Sequence, residues 1–269
     1  MKLILFFPVL LSFIASGQTK IYDLNNLDSV SFTNFVADKK VIVIGEMHGT
    51  TEVPLFVLQL AKQLMKTKEK ITVGLEIPVN YQSAINEFMI EGDFEKLKKL
   101  DHFKYPDGRT SVAMEQLIKG LRELSNVEIV CFDVDTNLGS GVSRDSLMGI
   151  NLSKTYEDGQ MIILTGNLHA NLKEGYWRPN FKSATYHFNK EKRFNDKLIS
   201  LDTYYSGGTI WNCMQDGCRE RDAGSNGGNL TKKYGLKNFI GIYEGVHPGG
   251  YSGFIYWDYV TASKPMVNE

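Results

Sequence analysis

Apolar residues fall along this chain in short unbroken blocks, with helically spaced stretches between them. Four blocks stand out: 41–44 (VIVI), 71–77 (ITVGLEI), 127–132 (VEIVCF) and 161–165 (MIILT). Runs of this length that stop at Gly, Asp or Pro read as strands buried on both faces. Between them, residues 52–67 carry Leu55, Leu58 and Leu64 along a broad apolar face, with Phe56 and Leu60 beside them. Residues 112–124 repeat the pattern with Met114, Leu117, Ile118 and Leu121. Both predict amphipathic helices. Further helices are predicted over YQSAINEFMI, opened by Pro78 and Asn80 and closed at Gly92, and over SRDSLMGINLSKTYED behind a Ser143 cap. A Ser/Thr-type cap is expected at Thr50 or Thr51, and Gly45 is expected to close the first strand. Strands alternating with helices predict an α/β fold, a mostly parallel sheet with helices on both faces. Right-handed crossovers then bring all four strand ends to one edge.

The flanking regions are less regular. Residues 21–39 predict a short helix leading into the first strand. Residues 93–111, polar and aromatic around DHFKYPDGR, read as an insertion or mobile loop over the sheet's end. Beyond Trp177 the pattern changes. LISLDTYYSGGTIW predicts another strand, DAGSNGGNLTKKYG a loop or turn, and FIGIYEGV and YSGFIYWDYV terminal strands. The last third is therefore expected to be strand-rich. No internal repeat or low-complexity linker divides the chain.

Composition narrows the picture. The 269 residues are 42% hydrophobic and 23% charged, with a formal net charge of −1. That balance gives no electrostatic footprint for nucleic acid or an anionic membrane. The segment 1–17 has one Lys, an apolar core and a small-residue end, the three-part pattern of a secretory signal peptide. Its apolar run is too short to span a bilayer, and no Cys follows it as a lipid anchor. The expectation is an exported, periplasmic or secreted chain, with 18–269 as a single α/β domain and no membrane span. Cysteine usage agrees with export: Cys213 and Cys218, with Gly217 between them, predict a small-loop disulfide. Cys131 reads as a buried small hydrophobe.

The chemistry gathers at the strand ends, where open α/β sheets bind their ligands. VIVIGEMHGTTE delivers Glu46, His48 and Glu52 within seven positions. Glu76 is a lone carboxylate in a buried run and needs a partner, because an unpaired one costs several kcal/mol. Asp133 and Asp135 follow the third strand, and His169 follows the fourth. As bland readings, His48 is a hydrogen-bonded turn residue, and Asp133 and Asp135 cap or pair with the next helix. Arg144 either binds a substrate anion, with Asp133 and Asp135, or pairs with one of those two. Glu46, His48, Glu76 and His169 form a mixed N and O set that suits Zn, Mn or Fe. Without a metal, either histidine can be a general base held in one tautomer by Glu46 or Glu76. Tyr204, Tyr205, Trp211, Tyr243, Tyr256 and Trp257 either line an apolar pocket or form core and strand surface.

GEMHGTTE, LEIP, SRDSLMGINL and LTGNLHA, in this order, resemble the erythromycin esterase/ChaN-like superfamily. That group includes ChaN haem-uptake lipoproteins, erythromycin esterases and TraB/TIKI proteins. The resemblance covers about half of the chain, residues 38–175. It implies a parallel-sheet α/β fold with the site at the strand ends. By position it assigns Glu46 and His48 to the first motif, Glu76 to the second-strand Glu, and His169 to the late Gly-x-x-His. Two functions follow as expectations. One is a hydrolase whose Glu46 and His48 activate water on an ester or amide, directly or through a metal. The other is a haem- or iron-compound-binding protein that uses the same edge without catalysis. A site decayed into a scaffold is a third. In the first two the partner is a small molecule.

Overall fold

The continuous aliphatic runs form the centre of an eight-stranded sheet. The computed structural model describes residues 19–134, 142–228, 230–244 and 248–267. In chain order the elements are β1 (Thr19–Asp23), α1 (Val30–Ala37), β2 (Val41–Glu46), α2 (Glu52–Leu64), β3 (Ile71–Pro78), α3 (Gln82–Glu91), α4 (Phe94–Lys98), α5 (Val112–Arg122) and β4 (Val127–Asp133). Then come α6 (Arg144–Thr155), β5 (Gln160–Gly166), α7 (Asn167–Ala170), α8 (Ala184–Lys192), β6 (Leu198–Tyr205), β7 (Thr209–Met214), β8 (Gly217–Asp222), α9 (Leu230–Tyr234), β9 (Asn238–Tyr243) and β10 (Gly253–Trp257). The sheet order is β1-β9-β10-β6-β2-β5-β3-β4. From β10 to β4 every neighbouring pair is parallel, and β9 and β1 are added antiparallel at the far edge.

Alternation along the strands divides the core in two. Ile42 and Ile44 of β2, with Ile162 and Leu164 of β5, face α2 and α5, where Val57, Leu60, Leu117 and Leu121 complete one cluster. Val41 and Val43, with Met161 and Ile163, face the opposite way and meet Met148, Leu152 and Phe188 of α6 and α8. Burying each such side chain stabilises the fold by about 1.5–3 kcal/mol. A sheet covered on both faces has only its ends free for chemistry.

Several expectations are corrected. Helix α2 starts behind Thr51, but no side chain caps it; the Thr51 N–H instead bonds the Thr261 carbonyl at 2.8 Å. Gly45 does not close β2, which continues through Glu46. It leaves room for α7, because a Cβ there would lie 2.9 Å from Ala170 Cβ. Residues 93–111 are no formless loop: they hold α4 and two tight turns. LISLDTYYSGGTIW is two strands, β6 in the main sheet and β7 in a separate hairpin with β8. The Gly- and Asn-rich stretch after it contains α9. Residues 19–23, which overlap the stretch expected to hold a short helix, pair with β9 as the edge strand. Cys213 and Cys218 are joined by a disulfide across the β7–β8 hairpin, and Cys131 is buried, which pushes its thiol up to about 12.

Candidate active site

Parallel order places the carboxyl ends of β2, β5, β3 and β4 side by side, and the candidate residues meet there. Glu46 ends β2 and is 3% exposed. Its Oε1 accepts the His48 Nδ1–H at 2.8 Å. Its Oε2 is buried without a hydrogen-bond partner among the described residues. A buried carboxylate oxygen left unsatisfied is costly, so it marks a site rather than a structural brace. Accepting Nδ1–H fixes the neutral tautomer of His48 and leaves a lone pair on Nε2.

Glu76 has the partners its burial demands. Strand alternation puts it on the Gly74 side of β3, towards the start of α6. Its Oε2 accepts from Thr165 Oγ1 at 2.7 Å and from the Gly166 N–H at 2.8 Å. Its Oε1 accepts from Arg144 Nη2 at 2.8 Å. Both imidazoles face it, His48 Nε2 at 3.6 Å and His169 Nε2 at 4.0 Å. Burial would raise the Glu76 pKa, but His48, His169, Arg144 and the Gly166 N–H together outweigh it and hold the carboxyl well below the usual range. The same field acts on His48. Burial lowers its pKa, whereas Glu76 and the bonded Glu46 raise it further, to about 8.

Arg144 resolves its two readings in favour of pairing. Its guanidinium forks onto Asp133 at 2.8 and 2.7 Å, binds Glu76, and donates from Nη1 to His169 Nε2 at 3.0 Å. With Nε2 accepting, His169 carries its proton on Nδ1 and gives it to Asp145 Oδ1 at 2.7 Å. Asp145 also accepts the Ala184 N–H. Asp133 is thus a partner of Arg144, and Asp135 lies outside the described residues. Glu52, at the start of α2, accepts the Thr261 N–H and stands apart from the cluster. Two site residues were not singled out by sequence: Asp145 and Thr165. The SRD triplet at a helix start was the available signal for Asp145.

The metal set expected from Glu46, His48, Glu76 and His169 does not fit this geometry. His169 Nε2 and Glu76 Oε1 already accept from the Arg144 guanidinium, so neither lone pair is open to an ion. Among the described residues, no group of three or more His, Cys, Asp or Glu is arranged to hold a metal ion. Of the two readings of the aromatic residues, pocket lining or core and strand surface, the packing matches the second. Tyr205, Tyr256 and Trp257 are buried in the core, and Tyr204 stacks on Phe254 with centroids 5.2 Å apart. Tyr243 lies against the same ring, and Trp211 Nε1 binds the Pro106 carbonyl at 2.8 Å.

Two glycines keep the cradle in shape. Gly49 sits at φ +98°, strained for other residues, and its carbonyl accepts from Trp211 and Ser263 N–H groups. The disulfide hairpin and the C-terminal segment therefore hold the His48 turn. Gly166 keeps space open: a Cβ there would lie 3.0 Å from His48 Nε2, 3.5 Å from His169 Cδ2 and 3.7 Å from Glu76 Oε2.

No protein-family model matches the sequence, and no curated protein sequence matches it either. Solved structures do. An erythromycin esterase in its open conformation aligns with a TM-score of 0.68 at 10% identity, over 92% of this chain and 96% of that one. A Bacillus cereus protein aligns with a TM-score of 0.65 at 12% identity, over 91% and 94% of the two chains. A succinoglycan biosynthesis protein gives 0.65 at 9% identity, over 87% and 91%. At these identities the likeness is one of fold. The chain shares the fold of the erythromycin esterase structure, an α/β fold of the kind its four motifs imply. Among the described residues, no helix is long and apolar enough to cross a membrane.

Proposed function

We propose that the protein is a hydrolase in which His48 is the general base for attack of water on an ester or amide carbonyl. The observation that carries this reading is the Glu46–His48 pair. A buried carboxylate fixes the Nδ1–H tautomer at 2.8 Å, and Nε2 lies beside Gly166, where any side chain would crowd it. Water held there gives its proton to Nε2 as its oxygen bonds the carbonyl carbon. The imidazolium formed lies between Glu46 and Glu76, which stabilise it. It then returns the proton to the departing alkoxide or amine. Glu76 is the fixed negative centre of the site, tied by Thr165, Gly166 and Arg144. His169, held between Asp145 and Arg144, positions that guanidinium rather than taking protons. Every step uses side chains of this chain and water.

The reading includes an exported mature chain beginning near residue 18 and folding as one α/β domain. The signal-like segment 1–17 and a disulfide suited to an oxidising compartment support it. N-terminal sequencing of the protein from a periplasmic fraction tests that part. The activity is tested with p-nitrophenyl esters and anilides of graded acyl length. Wild-type protein should hydrolyse members of the series, and His48→Ala should lose about 10²–10⁴-fold in rate while unfolding at a similar temperature. Equal rates for the two proteins would remove His48 from the mechanism.

A further inference from the structure

Beside the Glu46–His48 cradle lies a cavity of about 370 Å³ whose walls the proposed chemistry leaves unused. It is formed by the end of β4, the turn after β3 and residues 101–110. It adjoins the site in two places. Asp133, on its wall, is the carboxylate that Arg144 grips. Gly108 lies so close to the His48 turn that a Cβ there would come within 2.5 Å of the His48 carbonyl carbon.

The volume is ordinary for a small-ligand site, but the lining is not, since most such sites are mainly apolar. Here Asn80, Asp101, His102, Asp107, Arg109 and Asp133 face the cavity. The wall charges are largely answered within the protein. Asp107 accepts from Arg109 at 3.0 and 2.6 Å, and Asp133 is paired with Arg144. A bound anion would face three carboxylates, and a bound cation would face Arg109. An uncharged, hydroxyl-rich ligand meets neither repulsion, and its hydroxyls can both donate and accept. His102 points the same way. Its Nε2 is buried, with no hydrogen-bond partner among the described residues. Burial, and then Arg109, push its pKa down to about 4, so the ring is neutral and presents no charge to a ligand. Two tyrosines complete the lining. Tyr81 lies 5.5 Å from the His102 ring, and Tyr105 is 61% exposed at the mouth. Their electron-rich faces suit the C–H face of a sugar ring.

We propose that this cavity binds an uncharged carbohydrate, and that the substrate at His48 is an ester of a sugar hydroxyl. The second clause rests on the hydrolase reading; the first does not. Water would add to the acyl carbon, and the sugar oxygen would leave with the proton from His48 Nε2. The products are a carboxylic acid and the free sugar.

Binding is measured by calorimetry and saturation-transfer NMR, with glucose, galactose, mannose, N-acetylglucosamine and their neutral disaccharides. At least one should bind wild-type and His48→Ala protein equally. Tyr105→Ala, at an exposed position, and His102→Asn should each weaken it about fivefold or more. The proposal is overturned if no sugar binds, if both variants bind as wild type does, or if glucose 6-phosphate or glucosamine binds better than glucose. Hydrolysis is then compared between acetylated glucose and hexyl acetate, with about tenfold or greater preference expected for the sugar ester. Sugar binding without hydrolysis of any ester would remove the hydrolase reading and leave the sugar site standing. Hydrolysis of both esters at equal rates without sugar binding would do the reverse.

Discussion

Two imidazoles face one carboxylate, and their surroundings give them different work. His48 and His169 both approach Glu76, and each donates its Nδ1–H to a buried acid, Glu46 or Asp145. They differ at Nε2. That of His169 accepts from Arg144 at 3.0 Å. That of His48 stands 3.6 Å from Glu76 and borders the space beside Gly166. A nitrogen already occupied by a guanidinium cannot readily take a proton from water, whereas an open one can. Residue type and carboxylate partner are the same in both arms, so the third contact separates base from brace.

The largest effect should come from removing the shared centre. Glu76→Ala leaves Arg144 and the Thr165 and Gly166 donors short of an acceptor. It should cost about 3–5 kcal/mol, read by denaturant unfolding, and abolish activity. His48→Ala should abolish activity with little change in unfolding above pH 9, where the wild-type ring is neutral, and His169→Ala should reduce the rate by only about tenfold. Comparable losses from the two histidine variants would erase the distinction between the arms. Gly166→Ala sharpens the comparison further. The backbone at Gly166, φ −57° and ψ 145°, accepts alanine. The new methyl would sit 3.0 Å from His48 Nε2 but 3.5 Å from His169 Cδ2. Activity should fall on the order of 10²-fold with stability nearly kept.

The smallest effect is the pH dependence of stability. Folding raises the His48 pKa from 6.5 to about 8. The charged ring is therefore favoured in the folded state. Its contribution is complete below pH 6.5 and is lost as pH rises through 8, amounting to about 2 kcal/mol at most. Unfolding midpoints of wild type and His48→Ala should differ at pH 6 and converge above pH 9. Parallel curves across that range would show that His48 carries no such coupling.

How much of this was legible follows from where each residue's partners lie. β2 to β5 could be read because strands buried on both faces are apolar along their length. β1 could not: TKIYD is short and mixed, and its partner β9 lies more than 200 positions away. Glu76 declared itself because a carboxylate in a buried run must be answered, although the run does not say by what. Arg144 was weighed, but its bond to His169 joins segments that sequence order keeps apart. Asp145 was passed over because an acid in a helix's first turn already has an ordinary explanation in the helix dipole. Residues 101–110 read as loop for the same reason that they can line a polar cavity: they are rich in groups that face water. Glu52 shows the opposite error, since proximity in sequence to Glu46 and His48 did not bring it into the site.

The state of His48 itself is open to direct measurement, through an NMR titration of protein carrying ¹⁵N-labelled histidine, with its signals assigned from His48→Gln. His48 should titrate near pH 8 and, once neutral, hold its proton on Nδ1 with Nε2 bare. A midpoint at or below 6.5 would contradict the hold of Glu46 and Glu76 on its charged ring, and a neutral ring protonated on Nε2 would contradict its role as the base.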